Sequence, residues 1–177
     1  MREIAKAAVQ LEADRGYPPR LLVAQWALES NWGSKPSGAN NYFGITFNPA
    51  RHRSFEFCRT CEEMTDGQIA ALAADERATI RAKIPLGAGR FRLELDRKFA
   101  SYESLDEALG DKTSLIMNSP RYRDAFARFR QDGDVEGLIV RIAAAGYATA
   151  SLYAQAVLGI SRQTNVLNAI EEARHAA

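Results

Sequence analysis

Glu29 is the side chain whose position carries the clearest chemical meaning, because it is a carboxylate set in a strongly apolar run, Leu22 Val23 Ala24 Gln25 Trp26 Ala27 Leu28 Glu29. Burying an unpaired charge is costly. On a helix the neighbours three and four positions away are Gln25, Trp26, Trp32 and Gly33, and none is a cation. Apolar surroundings disfavour the ionised form and raise a carboxyl pKa, and the negative end of a helix dipole acts in the same direction. A carboxyl that keeps its proton near neutrality can protonate a glycosidic oxygen. The helix pattern alone is equally compatible with a structural carboxylate that faces solvent or accepts hydrogen bonds from a loop.

Two other groupings invite a chemical reading and support it less. Cys58 and Cys61 have CxxC spacing, but Phe55 and Phe57 mark their segment as a strand, which turns positions three apart to opposite faces. A zinc site would need two further ligands, and the chain has only His52 and His175 to offer. Isolated thiols, no metal and no cofactor are therefore expected. The same scarcity of ligands, and the lack of a well-placed Cys/His pair, argue against an amidase or peptidase.

With 177 residues, 46% of them hydrophobic and 25% charged, the chain can bury the core of a single domain. A net charge of +1 gives no ground for a nucleic-acid partner and suits a neutral or mildly anionic polymer. The segment Glu62 to Glu76 holds five acids and no bases, and Arg77 to Lys98 holds seven bases, which reads as a compensating solvated surface. A glycan-facing basic patch is the alternative. No apolar stretch reaches the length of about 20 residues needed to cross a bilayer. Met1 to Gly16 lacks the apolar segment of a secretory signal, so a substrate outside the cytoplasm would require lysis, a secretion apparatus or an upstream segment for export. A monomer that does not insert in membranes is expected.

The elements that must position Glu29 follow from periodicity. Ile4, Ala7, Ala8 and Leu11 stripe a first helix ending near Gly16, and Pro18 and Pro19 start a second, Leu21 to Trp32, apolar nearly all round and closed by Gly33. Phe43 to Phe47, Arg53 to Met64 and Arg90 to Tyr102 read as short strands or extended segments, and Thr65 to Ala82 as helix-like. Ser104 with Glu107 forms a capping box for a helix striped by Leu105, Ala108, Leu109 and Ile116. After the break at Asn118, Ser119 and Pro120, helices are expected over Tyr122 to Phe129, Val135 to Ala145, Leu152 to Leu158 and Val166 to Ala173. The fold class is mainly α (α+β), one domain over 1-177 with 42-102 as an inserted β-lobe.

Five blocks, in order, resemble family 73 of the glycoside hydrolases, the bacterial glucosaminidases. They are Ala24 to Gly33 with Asn40 to Ile45, Lys98 to Tyr102, Asn118 to Tyr122, Ala145 to Thr149, and Tyr153 with Ala154. The likeness spans Leu21 to Leu158 and is closest to the peptidoglycan-hydrolase domain of flagellar rod-assembly proteins. It implies a lysozyme-like fold, a helical lobe and a small β-lobe flanking a cleft, and cleavage after N-acetylglucosamine in peptidoglycan, hence action in the periplasm or cell wall.

The resemblance makes Glu29 the general acid and places Tyr147 in the catalytic cleft. It implies a second carboxylate after threonines on a β-lobe strand, which suits Glu62 in Thr60 Cys61 Glu62 best, then Glu63, then Glu94. Glu62 and Glu63 should face opposite sides of a regular strand. Glu62 would activate water or stabilise an oxocarbenium-like centre, unless the substrate's own acetamido group does so. Trp32, Asn41, Tyr42, Phe43 and Tyr153 are the candidate sugar-binding residues, with packing in the core as the alternative. Two departures stand out: Ala150 and Ser151 replace the family's usual Asp-Pro pair, and the segment between Thr60 and Lys98 is longer than usual. A muramidase or lytic transglycosylase on the same fold, or a wall-binding module without activity, are the rival readings.

Overall fold

In a computed structural model, residues 1–73, 78–147 and 152–176 are described. In chain order the elements are α1 (Arg2–Arg15), α2 (Pro19–Glu29), β1 (Ser54–Thr65), α3 (Asp66–Ala73), β2 (Ala78–Gly87), β3 (Arg90–Ser101), α4 (Leu105–Met117), a 3-10 turn (Pro120–Tyr122), α5 (Arg123–Asp132), α6 (Val135–Ala144), α7 (Tyr153–Ser161) and α8 (Thr164–His175). This is the mainly α, α+β class expected. They fall into two units, Met1–Lys35 with Ser104–Ala177, and Pro36–Glu103. Among the described residues no helix is long and apolar enough to cross a membrane.

The first unit is helical and is organised around α2. Pro19 occupies the first turn of α2, where its missing N–H costs nothing, and every residue from Leu21 to Ala27 is buried. α2 packs on α1, α6, α7 and α8, and α1, which buries Ile4, Ala5, Ala8 and Leu11, also packs on α8. The helix ends follow local chemistry. Gly16 closes α1 in a left-handed conformation at φ 71°, and its N–H donates to the Glu12 carbonyl. Ser104 Oγ accepts from the Glu107 N–H at 3.1 Å, and Asp134 Oδ1 accepts from the Gly137 N–H at 2.9 Å.

The second unit is an antiparallel sheet in the order β1-β3-β2 with α3 against it. Leu72 of α3 meets Leu93 and Leu95 of β3, and Met64, Ile69, Ala78, Ile80 and Phe91 complete the cluster. One expectation is corrected here. The helix-like reading of Thr65 to Ala82 is met over Asp66–Ala73, but Ala78 onward is an edge strand with a register shift between Ile80 and Ala82. Its edge position tolerates Pro85, which cannot donate to a ladder. Of the two readings open for Phe43 to Phe47, the extended one holds, with one bridge, Thr46 with Phe99, flanked by Phe47 N–H to Lys98 O and Ala100 N–H to Ile45 O.

The uneven charge runs meet across the sheet. Lys83 pairs with Asp66, Arg90 with Glu63, Arg97 with Glu62, and Asp96 takes both Arg59 and Arg81. That is the compensating surface expected; Asp75, Glu76 and Arg77 lie outside the described residues.

Candidate active site

Glu29 is the last residue of α2, three positions short of the end expected at Trp32. The helix stops because Ser30 uses its side chain on the backbone. Its Oγ donates to the Trp26 carbonyl at 2.6 Å and accepts from the Gly33 N–H at 2.8 Å. Asn31, Trp32 and Gly33 then all take positive φ, at 48°, 59° and 81°. Such a run in non-glycine residues costs of order 1–3 kcal/mol each and is held only by its surroundings. Gly33 lies so close to the Trp26 indole that a Cβ there would sit 2.7 Å from it. The turn folds Trp32 edge-on to Trp26, with ring centroids 6.4 Å apart, and leaves the Glu29 side chain about 20% exposed.

Tyr147 reaches this carboxylate from the far end of α6. Gly146, at φ 84°, turns the chain after the helix, and the Tyr147 N–H donates to Ile142 O at 3.3 Å. Arg121, in the Asn118 to Tyr122 block, holds the turn by donating Nη1 to Gly146 O at 3.1 Å. The Tyr147 hydroxyl donates to Glu29 Oε1 at 2.8 Å. Its ring packs against Tyr153 at 5.0 Å and Tyr122 at 6.1 Å. Ala148, Thr149, Ala150 and Ser151 lie outside the described residues.

A cation also stands beside Glu29, contrary to the apolar surroundings expected of it. Lys112 of α4 is 4% exposed, and its Nζ lies 3.5 Å from each Glu29 oxygen. The same ammonium contacts the Tyr147 hydroxyl and lies 4.7 Å from the centre of that ring. Helical spacing could not find it, since it is 83 positions away in sequence. A signal did exist: Lys112 falls three and four residues after Leu109 and Ala108 and four before Ile116, inside the buried stripe of its helix.

Behind Tyr147 the polar groups continue into the core. Tyr17 Oη donates to Gln25 Oε1 at 2.8 Å, and Gln25 Nε2 donates to Tyr153 Oη at 2.9 Å. Gln25 and Tyr17 are fully buried. Burial pushes the phenols of Tyr17, Tyr147 and Tyr153 above their ordinary value, and the Glu29 charge adds to this for all three. They remain protonated donors through any physiological range. Burial pulls the Lys112 ammonium down from its ordinary value, while the Glu29 carboxylate works against that.

The other candidates divide. Trp32 is 39% exposed and Tyr42 half-buried, whereas Phe43 and Tyr153 are buried. Asn41 is wholly buried, donating Nδ2 to Ile45 O and Ala100 O at 2.8 Å and accepting from Ile45 N–H at 3.0 Å. Its amide clamps the loop to the end of β3. Glu62 lies across from Leu93 on the half-buried face of β1, and Arg97 Nη1 donates to its Oε1 at 2.7 Å. Glu63 is exposed and bonded by Arg90 at 2.8 Å, and Glu94 is half-buried opposite Cys61. Cys58 and Cys61 are free thiols.

Comparison with known proteins bears on this arrangement. The chain is 30% identical over 168 residues to the peptidoglycan hydrolase FlgJ of Vibrio cholerae, covering 92% of this chain and 41% of that protein. It is 28% identical over 171 residues to FlgJ of Pseudomonas aeruginosa, covering 93% and 36%. The chain thus spans about two fifths of the length of these relatives. Among solved structures, a peptidoglycan hydrolase of Sphingomonas sp. A1 aligns with a TM-score of 0.62 at 20% identity, over 98% of this chain and 95% of that one. The catalytic domain of the autolysin Auto of Listeria monocytogenes gives 0.65 at 22%, over 94% and 83%. These two likenesses establish the fold as lysozyme-like. The family Glucosaminidase, described as mannosyl-glycoprotein endo-beta-N-acetylglucosaminidase, matches residues 5–166, and the chain belongs to that family of glycoside hydrolases.

Proposed function

We propose that the chain is an endo-β-N-acetylglucosaminidase that cuts the glycan strand of peptidoglycan, with Glu29 as the general acid. The supporting observation is the Glu29 carboxyl itself: it ends a buried helix, receives the Tyr147 hydroxyl at 2.8 Å and keeps a partly exposed side chain, in a chain of the glucosaminidase family. The FlgJ relatives named as peptidoglycan hydrolases supply the substrate.

In this reading Glu29 gives its proton to the glycosidic oxygen as the bond from that oxygen to the anomeric carbon breaks. One water adds its oxygen to the carbon, and its proton passes to Glu62, the second carboxylate we assign. Exchange with solvent then restores both groups. Tyr147 orients the Glu29 carboxyl, with Tyr153 packed on its ring. Trp32 and Tyr42 take the apolar faces of the sugar rings. The enzyme works as a monomer, with no metal or cofactor, where peptidoglycan lies, in the periplasm or cell wall.

Mass analysis of purified peptidoglycan after digestion tests the activity and the bond together. New reducing ends of N-acetylglucosamine are expected. Muramic acid ends or anhydro products would replace this reading with a muramidase or lytic transglycosylase. A wild-type chain that binds wall without releasing fragments would make it a binding module.

A further inference from the structure

We propose that the groove between α5 and α6 is a subsite for the acidic stem peptide of peptidoglycan, whose carboxylates are taken by Arg121, Arg128 and Arg141. The assignment deepens the reading of the chain as a peptidoglycan glycosidase and rests on it. The groove has a volume of about 520 Å³, and its lining residues all belong to the helical unit. Arg121, Ala125 and Arg128 follow one another at helical spacing along the 3-10 turn and α5, as Arg141 and Ala144 do along α6. The alanines are short and form a floor, and the guanidiniums stand on either side of it.

Charge and hydrogen-bonding capacity both point to an anion. Asp124 is the acid among the lining residues, and Asp132 lies 3.5 Å from Arg128 and 3.6 Å from Arg141, so three cations face two anions. Arg141 is poorly satisfied by its neighbours: Nη2 lies 3.5 Å from Asp134 O, and Nε is buried with no hydrogen-bond partner among the described residues. Arg128 leaves its side chain 69% exposed, and Arg121 spends Nη1 on Gly146 O. A guanidinium presents its donors in a planar fork that matches a carboxylate, so these side chains keep donors for a ligand.

Position selects the source of the carboxylate. Arg121 ties the groove to Gly146, and the next residue, Tyr147, donates to Glu29. A peptide of about four residues extends about 13 Å, enough to follow the path from Glu29 past one tyrosine side chain and one glycine. In peptidoglycan such a peptide hangs from the muramic acid beside the scissile bond and carries free carboxylates. A strand whose sugar sits at Glu29 thus brings an anion to these arginines.

Steady-state kinetics on peptide-bearing glycan strands and on strands stripped of their peptides test the subsite. The wild type should prefer the peptide-bearing strands in kcat/KM. The double substitution Arg128→Gln, Arg141→Gln should cut that preference by about three- to tenfold, by raising KM on the peptide-bearing strands. Equal losses on both substrates, or an unchanged preference, would overturn the proposal. Should the double variant fail to fold, Ala144→Glu places a carboxylate in the groove from an exposed position and should cut the preference in the same way. Calorimetric titration with the free acidic stem tetrapeptide needs no activity. If the wild type digests neither strand, the glycosidase reading fails, and tetrapeptide binding that is lost in Ala144→Glu still upholds the groove. Digestion of both strands with no preference and no tetrapeptide binding leaves the glycosidase and removes the subsite. Inorganic phosphate that displaces the tetrapeptide at equal concentration would make the groove a general anion site and also overturn the assignment.

Discussion

Both units put acids beside bases, yet the surroundings make these contacts different things. In the sheet unit, Arg59, Arg81 and Asp96, Lys83 and Asp66, and Arg90 and Glu63 sit on solvated faces where several members are more than half exposed. In the helical unit Lys112 is buried and Glu29 half-buried, and both join a chain of hydrogen bonds that runs inward through Tyr147 to Tyr153, Gln25 and Tyr17. Exposed pairs of this kind contribute about 0–1 kcal/mol and fade with salt. Removing one member of a buried pair costs about 3–5 kcal/mol, because the other charge is left without compensation. The number of ion pairs therefore says little; their access to water decides.

The sharpest way to break this contrast is Glu29→Gln. Loss of the proton donor should lower the rate of peptidoglycan digestion by about 10²- to 10⁴-fold, measured as loss of turbidity of purified wall, with circular dichroism unchanged. Retained activity would reduce the buried cluster to structure. Next in size is Gln25→Leu, which removes the amide shared by two buried phenols, Tyr17 and Tyr153. It should cost about 1–3 kcal/mol, lowering Tm by about 2–4 °C for each kcal/mol in a chain of this size, as read by calorimetry.

A smaller effect is expected at Glu136, where Arg162 and Arg20 bond the carboxylate and hold its pKa down at about 2. The folded value lies below the unfolded one, so the stabilisation is full above the unfolded carboxylate pKa and is lost as pH falls toward about 2. Glu136→Gln should therefore flatten the drop in Tm across that acid window and leave the slope above it unchanged. The smallest change is expected for Glu63→Gln on the sheet, which severs the exposed pair with Arg90. A shift within about 0.5 kcal/mol, disappearing in high salt, is the expected denaturation result; a larger one would erase the distinction between the two regions.

What could be read from the sequence depended on how local the governing forces are. α2 was legible because Pro18 and Pro19 mark its start and an unbroken apolar run declares its burial. Its end was not, since Ser30 bonding back to Trp26 and the left-handed run through Gly33 are decided by the Trp26 ring. β2 carries a visible alternation, Ile80, Ala82 and Ile84 against Arg81 and Lys83, but Ile80 also falls at helical spacing, seven residues after Ala73. The role of Lys112 was hidden for a different reason. A helix pattern reports that one stripe is buried, and only tertiary packing reports which charge from another helix meets it. Asn41 is a similar case, since its bond to Ala100 joins residues 59 positions apart that no local pattern brings together.

The helical unit is discontinuous in the chain, with Pro36–Glu103 lying between its two segments. During synthesis from the N-terminus, α1 and α2 are complete long before α7 and α8, the helices that cover them, and Arg174 reaches Glu12 across 162 positions. A helix that the fold buries from Leu21 to Ala27 is thus born without its cover. Nascent chains halted before Thr164 should be captured by chaperones or cleaved by proteases, and release of the last helix should end that vulnerability.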